Sequence, residues 1–536
     1  MRLRIQQVTV PLAYNNDAIL KKASRLIGCD PAALTEPVVI RRSLDARARN
    51  PEPLYVLTIE VTLNTHDLPG SAQSPSVEVL TQSRSVNAVL PQGFRTSDRP
   101  RPVVVGAGPA GLMAAYRLAV AGARPLLIER GEDVMARTPK VAQYWTQGAL
   151  DPESNVLFGE GGAGLFSDGK LTARSKDRGR IRDFMELLHA CGADDSVLID
   201  AEPHVGSDRL MEIVPRLRQK IIEAGGEVRF RARLDSLIRE NGRLTGIVVN
   251  GSAMDCSCCI LAVGHSARDV YTMLAGQGVA LQPKPFAVGI RLEIPQSAID
   301  RAQFGRFAGS PLLGAASFRL TRREEEGVRS CYSFCMCPGG KVISCASEPG
   351  RLTTNGMSYS RRSLPMGNAA FLVPVGPADY PDHEVPALAG LEFQRRLESQ
   401  AFEAAGGGYR VPAVTLVDFL HRRVSPGLPA GISCPVSAPT EFRAILPDFV
   451  THTLEHALPP MLKELHGVRL DEAMLYAPET RSSSPLWITR QPDGESVNTA
   501  GLFPAGEGAG YAGGIVSSAI DGARAAEHLL AASQNH

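Results

Sequence analysis

The sequence carries almost no net charge and has no uninterrupted hydrophobic run long enough to span a membrane. Its 57 Lys and Arg residues nearly balance its 56 Asp and Glu residues, so charge gives no general reason to expect a nucleic acid or an anionic membrane as partner. The first residues lack the apolar core of a secretory signal peptide. Glycines, a proline and Arg117 interrupt the apolar segment 103–123, which therefore does not predict a membrane span. We expect a cytoplasmic protein.

The cysteines do not predict a disulfide framework, because there are only ten in 536 residues. The spacing of Cys331, Cys335, Cys337 and Cys345 matches neither a zinc knuckle nor the Cys-x-x-Cys redox motif. We therefore expect no bound metal. No internal repeat is present, and the length predicts more than one domain.

The most informative segment runs from residue 103 to residue 129. The valine run 103–105 predicts a strand buried on both faces, and the spacing Gly-x-Gly-x-x-Gly follows it directly, ahead of an apolar helix. The first glycine permits a tight turn, the second lets the backbone approach a pyrophosphate, and the third lets the helix pack on the strands. A second strand then ends at an acid suited to a ribose hydroxyl. This pattern predicts a dinucleotide site with the contacts Gly106, Gly108, Pro109, Ala110, Gly111, Glu129 and Arg130.

Later segments are expected to return to the same nucleotide fold. A buried strand beginning at Cys259 ends in a glycine, and a glycine-rich stretch at 501–515 precedes a C-terminal helix. The start of that helix can stabilise negative charge on a flavin ring. Two nucleotide-type segments, one for each end of the cofactor, favour FAD over NAD. The contacts expected here are Leu234, Val263, Gly264, Gly506, Glu507, Gly513, Gly514 and Ile515.

The stretch 159–170 is too rich in glycine for an ordinary loop. Such a composition lets backbone N–H groups crowd a flat ring or a phosphate. We expect the isoalloxazine ring to lie against Gly161, Gly162, Ala163 and Gly164, with Ser167, Asp168 and Lys170 nearby.

These motifs together resemble a family of bacterial and plastid FAD-dependent dehydrogenases whose chemistry is uncharacterised. The resemblance covers nearly everything after residue 100, and the N-terminal unit is similar to that family's extra α+β domain. It implies a glutathione-reductase-like fold with tightly held FAD, and it supplies no substrate. The matching segments are PESNVLFGEGGAGLFSDGKL at 152–171, LAVGHSARD at 261–269, YSFCMCPGG at 332–340, TNGM at 354–357, ETRSSSP at 479–485, PAGEGAGYAGG at 504–514 and RRSLDAR at 41–47.

The expected fold class is α/β, with a Rossmann-like FAD-binding domain, an inserted mixed α/β substrate domain and a small N-terminal α+β domain. The expected division is a small domain at 1–65, a linker at 66–100, the first part of the FAD-binding domain at 101–265, an inserted substrate or cap domain at 266–495, and the C-terminal part of the FAD-binding domain at 496–536.

Five side chains are candidates for catalysis, each with a structural alternative. Lys170 can hydrogen-bond flavin N5 or an anionic substrate, or else form a salt bridge to Asp168. His265 titrates near neutrality and suits a general acid or base, or else a hydrogen bond to the backbone. Cys335 or Cys337 can face the flavin as a thiol, or else fill space as a buried apolar residue. Arg481 can clamp a carboxylate, or else form a structural ion pair.

The sequence thus predicts an oxidoreductase that passes a hydride between an unidentified organic substrate and bound FAD. No second unit of strand, Gly-x-Gly-x-x-Gly turn and helix is predicted, so a dedicated NAD(P)H domain is not expected, and transient NAD(P)H binding stays open. Nine basic against six acidic residues over 1–65, including Arg41, Arg42, Arg47 and Arg49, leave an RNA-modifying flavoenzyme as an alternative. A non-catalytic FAD-stabilised binding protein is the third possibility. The sequence does not indicate an oligomeric state.

Overall fold

The computed structural model describes residues 1–47, 52–64, 76–80, 100–172 and 175–534. The N-terminal unit is an antiparallel sheet in the order β2-β3-β1-β4, with one helix packed on it. Its elements are β1 (Arg2–Pro11), α1 (Asn16–Ile27), β2 (Leu34–Asp45), β3 (Leu54–Leu63) and β4 (Val77–Leu80). Alternate residues of β3, beginning with Leu57 and Ile59, are buried against α1, as a two-residue period requires.

The presence of β4 corrects the predicted linker at 66–100. Val77–Leu80 pair antiparallel with the start of β1, and Arg4 lies 3.0 Å from the carboxylate of Glu78. The pairing satisfies backbone groups along an edge of β1 that would otherwise be open. Residues 65–75 and 81–99 of that linker lie outside the described residues.

The second unit is built on a parallel sheet in the order β23-β11-β5-β6-β7. Its strands are β5 (Val103–Val105), β6 (Leu126–Ile128), β7 (Glu227–Arg229), β11 (Cys259–Leu261) and β23 (Leu502–Pro504). The first four precede the cap region in sequence and β23 follows it, so the chain leaves this sheet and returns. All three residues of β5 are buried, as the valine run predicts.

Helices and a small antiparallel sheet, β10-β9-β8, surround the parallel sheet. They are α2 (Pro109–Val120), α3 (Val134–Gln147), α4 (Arg178–Ala190), α5 (Ser196–Ile199), α6 (Ser207–Glu223), β8 (Leu234–Glu240), β9 (Arg243–Val249), β10 (Ser252–Asp255), α7 (Arg268–Gly276) and α12 (Ile515–Gln534).

The cap region between them centres on a sheet in the order β14-β15-β18-β13-β21-β19-β20, antiparallel except at β19 and β20. A hairpin of β16 and β17 and a pair of β12 and β22 complete it. Its elements are β12 (Leu281–Pro283), β13 (Phe286–Pro295), α8 (Gln296–Phe304), β14 (Thr321–Arg322), β15 (Cys331–Cys337), β16 (Gly340–Cys345), β17 (Thr353–Ser358), β18 (Met366–Val375), α9 (Ala389–Ala404), β19 (Val411–Thr415), α10 (Leu416–Leu420), β20 (Ser437–Pro439), α11 (Asp448–Lys463), β21 (Met474–Glu479) and β22 (Leu486–Ile488).

Candidate functional site

A deep cleft lies where the parallel sheet faces the cap region. It encloses about 1750 Å³ of space free of protein atoms, part of it open to solvent. One wall follows the carboxyl ends of the parallel strands, where open α/β sheets bind their ligands. The other wall comes from the cap region, chiefly from the ends of β15, β17 and β21.

The glycines after β5 have different roles in the wall of this cleft. A Cβ atom on Gly106, whose φ is +103°, would lie 2.4 Å from the carbonyl oxygen of Ala262, and one on Gly111 would lie 1.7 Å from that of Gly106. Both positions therefore require glycine for packing. A Cβ atom on Gly108 would approach only the Cα of Gly162, at 3.9 Å, so this position faces open space in the cleft.

Glu129 ties this turn to the glycine-rich loop. Its Oε2 accepts a hydrogen bond from the amide of Ala107 (2.7 Å), and its Oε1 accepts from the amides of Gly131 (2.9 Å) and Gly159 (3.0 Å). The carboxylate is almost fully buried yet lines the cleft. Glu129 thus orders the backbone around the nucleotide turn, in addition to the ribose contact predicted for it.

Arg137 supports the glycine-rich loop from behind, a role that the sequence did not reveal. This fully buried side chain donates to the carbonyls of Asn155 (2.8 Å), Val156 (2.8 Å) and Glu160 (2.7 Å). Burial lowers the pKa of its guanidinium to about 9. No local pattern distinguishes Arg137 from a solvated helix arginine, because its partners lie in a separate loop.

The start of α12 meets the start of α2 and the glycine-rich loop at the cleft. The amide of Gly506 donates to Asp521 (2.7 Å) on α12, and a Cβ atom on Gly522 would lie 2.0 Å from the carbonyl oxygen of Ala110 on α2. A Cβ atom on Gly164 would lie 3.2 Å from Ile515. Two helix N-termini therefore converge on one space.

A buried arginine organises the cap wall. Arg291 donates two hydrogen bonds to Glu479 (3.0 and 2.8 Å), and further ones to Asn368 (2.9 Å), Asn355 (3.2 Å) and the carbonyl of Cys335 (3.2 Å). Burial opposes its charge, but Glu479 outweighs burial and raises the pKa of Arg291. Glu479, Asn355 and Cys335 all line the cleft, so one cation fixes three of its lining residues.

A second network joins the two walls through Glu398 on α9. Arg481 donates to its carboxylate in a two-pronged arrangement (2.9 and 2.7 Å), and Arg268 does the same from the parallel-sheet side (2.9 and 2.8 Å). Burial would raise the pKa of Glu398, but the two guanidinium groups hold it well below its ordinary value. The network fixes the relative position of the walls.

Comparison with known proteins agrees with this geometry. The family described as "FAD-dependent protein, C-terminal domain-like" matches residues 285–482. A NAD(P)-binding Rossmann-like domain matches residues 104–158, and a domain of unknown function matches residues 2–62. A protein of Clostridium beijerinckii, titled only as uncharacterised, is 40% identical over 533 residues, which cover 99% of each chain.

The chain belongs to this family of FAD-dependent proteins. FAD is its cofactor, and its fold is the α/β Rossmann type. Protein FixC of Escherichia coli is 27% identical over 220 residues, which cover 40% of this chain and 48% of FixC. A glycerol-3-phosphate dehydrogenase from Bacillus halodurans, solved with FAD, is 11% identical at a TM-score of 0.32, covering 82% of this chain and 65% of that one.

The backbone of the cleft fits FAD. No protein atom comes within 3.9 Å of a Cβ atom built on Gly108, Gly264, Gly513 or Gly514, and all four glycines line the cleft. A side chain at these positions would occupy the space that a ligand needs. Unpaired amides at the starts of α2 and α12 suit the pyrophosphate and an anionic ring edge.

Most of the predicted cofactor contacts meet in this one cleft. Gly111 and Gly161 do not line it, because Gly111 packs against Gly106 and the amide of Gly161 donates to the carbonyl of Ala107 (2.8 Å). Those that do line it are Gly106, Gly108, Pro109, Ala110, Glu129, Arg130, Gly162, Ala163, Gly164, Ser167, Asp168, Leu234, Val263, Gly264, Gly506, Glu507, Gly513, Gly514 and Ile515.

Lys170 lies at the junction of the two walls. Its ammonium donates to the carbonyl of Met336 and lies 4.0 Å from Asp168, so the salt-bridge alternative is present at the limit of contact. The carboxylate of Asp168 accepts from Ser358 and from Arg362 (2.5 Å). Asp168 is therefore held mainly by the cap region, and Lys170 keeps N–H groups for other partners.

The ring of His265 lines the cleft and is held there by hydrogen-bond partners. Its Nδ1 lies 3.0 Å from the hydroxyl of Ser266, and the backbone of Arg481 also hydrogen-bonds to the ring. Burial lowers the pKa of His265, although nearby Glu507 opposes this shift. The imidazole is thus neutral near pH 7.

The structure places Arg481 in an ion pair, one of its two predicted alternatives. Its guanidinium is engaged by Glu398 and by Ser347 (2.8 Å), so it is not free to clamp a carboxylate in this arrangement. Local sequence could not identify the partner, because Glu398 lies on α9, a distant helix.

Cys335 and Cys337 also differ in place. Cys335 lines the cleft, whereas Cys337 is fully buried behind it and does not.

Within the described ranges, no group of three or more His, Cys, Asp or Glu side chains is arranged to hold a metal ion. In the same part of the chain, no helix has both the length and the apolar character needed to cross a membrane.

Several cleft residues were not predicted individually, although their motifs were. Phe334, Thr354, Asn355, Glu479 and Ser482 line the cap wall. Each falls in a segment that carried the family resemblance, which was the available signal.

Proposed function

We propose that this protein is a dehydrogenase or reductase in which a hydride passes between an organic substrate and FAD held in the cleft. The observation that supports this is the contrast between its walls. One wall is glycine backbone, and the other presents side chains of the cap region, among them Phe334, Thr354 and Asn355. FAD supplies the two-electron chemistry, while the chain supplies binding, orientation and charge stabilisation.

The two helix N-termini are assigned to binding. The first amides of α2 would hold the pyrophosphate, because a helix N-terminus favours an anion. The start of α12, at Ile515, would stabilise negative charge developing at the flavin end of the cleft. Both helices are fixed by the close contact of Gly522 with Ala110.

Lys170 and His265 are assigned to orientation and proton handling. The ammonium of Lys170 has one donor engaged by Met336, and its others can hold an oxygen or ring nitrogen in place. The neutral imidazole of His265 can accept a proton on a ring nitrogen if the bond to Ser266 or Arg481 is exchanged. Arg481 is a positioning residue, since it acts through Glu398.

Direct dehydrogenation of an organic substrate fits the fold better than a dedicated NAD(P)H step. The Gly-x-Gly-x-x-Gly spacing after β5 recurs at 159–164 and at 508–513, but both of these segments border the same cleft, so the residues 100–172 and 175–534 form no separate second dinucleotide site. The test is an anaerobic metabolite screen of the holoprotein that follows loss of flavin absorbance. Fast bleaching by an organic hydride donor is expected, whereas bleaching by NADPH within milliseconds would contradict direct dehydrogenation.

The substrate wall is tested separately by Phe334→Ala. This side chain is 45% exposed at the cleft, so its removal should leave folding and FAD content unchanged while raising KM for the substrate found in the screen. Leu312→Ala is the matched control, because Leu312 is similarly exposed (53%) but does not line the cleft. Equal KM values for the two variants would place the substrate elsewhere.

A further inference from the structure

Strand β15 contains an irregularity at the cleft. Phe334 pairs with Ala370 of β18, but Cys337 pairs with Asn368, so three steps along β15 match two along its partner. Within the irregularity, Cys335 has a φ of +44°, in the left-handed region that few non-glycine residues adopt. Bulges and strained residues of this kind redirect side chains next to active sites.

The irregularity also contains two cysteines in close contact. In a regular strand, residues two apart have Cα atoms about 6.6 Å apart, near the upper limit for a disulfide. Here the extra residue compresses β15 between residues 334 and 337, and the Sγ of Cys337 donates to the carbonyl of Cys335 (3.4 Å).

The charges around this pair favour one thiolate and one thiol. The neighbouring thiol of Cys337, helped by the cations of Arg291 and Lys170, lowers the pKa of Cys335 against the opposing effects of burial and Asp168. The same interaction and burial raise the pKa of Cys337. A thiolate facing the ligand space with a thiol behind it is the arrangement of a redox-active pair.

The other cysteines near the cleft lack these features. Cys345 lines the cleft, but burial raises the pKa of its thiol. Cys331, on the same strand, does not line the cleft, and burial raises its pKa to about 12.

We propose that Cys335 and Cys337 form a redox-active pair that exchanges two electrons with FAD in the cleft. In the oxidising direction, the S–H bond of Cys337 breaks and an S–S bond forms to the thiolate of Cys335. Two electrons, the released proton and one proton from solvent pass to FAD, which becomes FADH2. The reverse reaction reduces the disulfide. The proposal rests on the proposed function only in requiring FAD in this cleft.

The test is an anaerobic dithionite titration of the holoprotein after oxidation with diamide and desalting. The wild type is expected to take up twice as many electrons per FAD as Cys335→Ser or Cys337→Ser. Cys331→Ala is the matched control and should behave like the wild type. Equal electron uptake by the wild type and Cys335→Ser would overturn the pair.

A second measurement uses only the wild type, so it does not depend on the folding of a variant. Alkylation of the denatured wild type, followed by mass spectrometry of the peptide that contains both cysteines, should find both protected after diamide and both modified after dithionite. Modification of both thiols after diamide would overturn the proposal. Neither measurement uses an organic substrate, so a failed pair with flavin still bound leaves the proposed hydride transfer standing, and a failed substrate screen leaves the pair standing.

Discussion

At the scale of single residues, two glycines of the nucleotide turn have different roles. Gly108 is needed for the ligand, and Gly111 is needed for the fold. Gly108 has an ordinary φ of −77°, and a Cβ atom there would meet only Gly162 at 3.9 Å. Gly108→Ala should therefore fold normally, but its methyl group would intrude on the pyrophosphate. Overpacking of this kind costs about 1–3 kcal/mol, which corresponds to at least about a fivefold weaker FAD affinity. Titration of the apoprotein with FAD measures it.

Two further alanine variants serve as controls for this prediction. Gly111→Ala should lose stability, since its Cβ atom would lie 1.7 Å from the carbonyl oxygen of Gly106. Gly276 is exposed with open space around it, so Gly276→Ala should change neither the stability nor the FAD affinity. Unchanged FAD affinity in Gly108→Ala would remove Gly108 from the binding site.

Glu398 is the residue on which the joint between the two walls depends. Glu398→Gln would leave Arg481 as a buried cation without a counter-charge and Arg268 with Glu348 alone, and breaking such a pair costs about 3–5 kcal/mol. Urea denaturation measures the free energy of unfolding. Glu392→Gln on the same helix removes an exposed charge and should cost less than about 0.5 kcal/mol. Similar values for the two variants would contradict the role of Glu398.

The same network has a defined pH dependence. Burial opposes ionisation of Glu348, but Arg395 and Arg268 lower its pKa to about 2, and the pKa of Glu398 is also depressed. A depressed pKa stabilises the fold above the unfolded value of about 4.3, and this contribution is lost as the pH falls below it. The urea midpoint of the wild type should fall between pH 5 and pH 2, and less steeply in Glu398→Gln.

At the scale of elements, helix packing positions the two halves of the cofactor site. Gly522 lies inside α12, where alanine would ordinarily favour the helix by about 1 kcal/mol. A Cβ atom there would instead lie 2.0 Å from the carbonyl oxygen of Ala110, and overpacking costs about 1–3 kcal/mol. The clash therefore outweighs the propensity. Gly522→Ala should lose both thermal stability and FAD affinity, as Tm and FAD titration would reveal.

The control for this prediction lies on the same helix. Ala531 is exposed near its end, so Ala531→Gly should lower Tm slightly and leave FAD affinity unchanged. If Gly522→Ala kept the affinity of the wild type, contact between α2 and α12 would not position the site.

Elements with a local signature were predictable from the sequence, and those defined by distant pairing were not. The valine run and glycine turn predicted β5 and α2. The bounds of β15 have no such local signature, because its register is set by its pairing with β18. Strand β4 was missed in a polar segment because β1 supplies its pairing.

The residues of the candidate site likewise divide into those that the sequence predicted and those that it did not. Glycines facing the ligand were found because the chemistry of a pyrophosphate dictates their spacing. The partners of Arg481 and the support from Arg137 were not, because Glu398 and the loop at 155–160 are brought to them only by the tertiary structure.

At the scale of the whole molecule, part of the positive charge of the N-terminal unit is neutralised within the fold. Arg2 and Arg4 both pair with Glu60 (2.9 and 2.7 Å), and Arg42 pairs with Asp200 (2.7 Å) on the neighbouring unit. Arg47 pairs with Asp45, and Arg49 lies outside the described residues. Two of the four arginines that suggested an RNA partner, Arg42 and Arg47, therefore serve in ion pairs.

This neutralisation predicts weak RNA binding. Affinity for RNA comes largely from cations that displace counterions from phosphates, and paired arginines contribute little to it. Filter binding of tRNA at physiological salt should therefore give a Kd no tighter than about 1 μM, within the range of non-specific binding. Glu60→Gln, which frees Arg2 and leaves Arg4 paired with Glu78 alone, should retain more tRNA than the wild type at low salt. Tight binding by the wild type at physiological salt, with a steep salt dependence, would instead favour the RNA-modifying alternative. In that case the RNA phosphates would have displaced these carboxylates from the arginines.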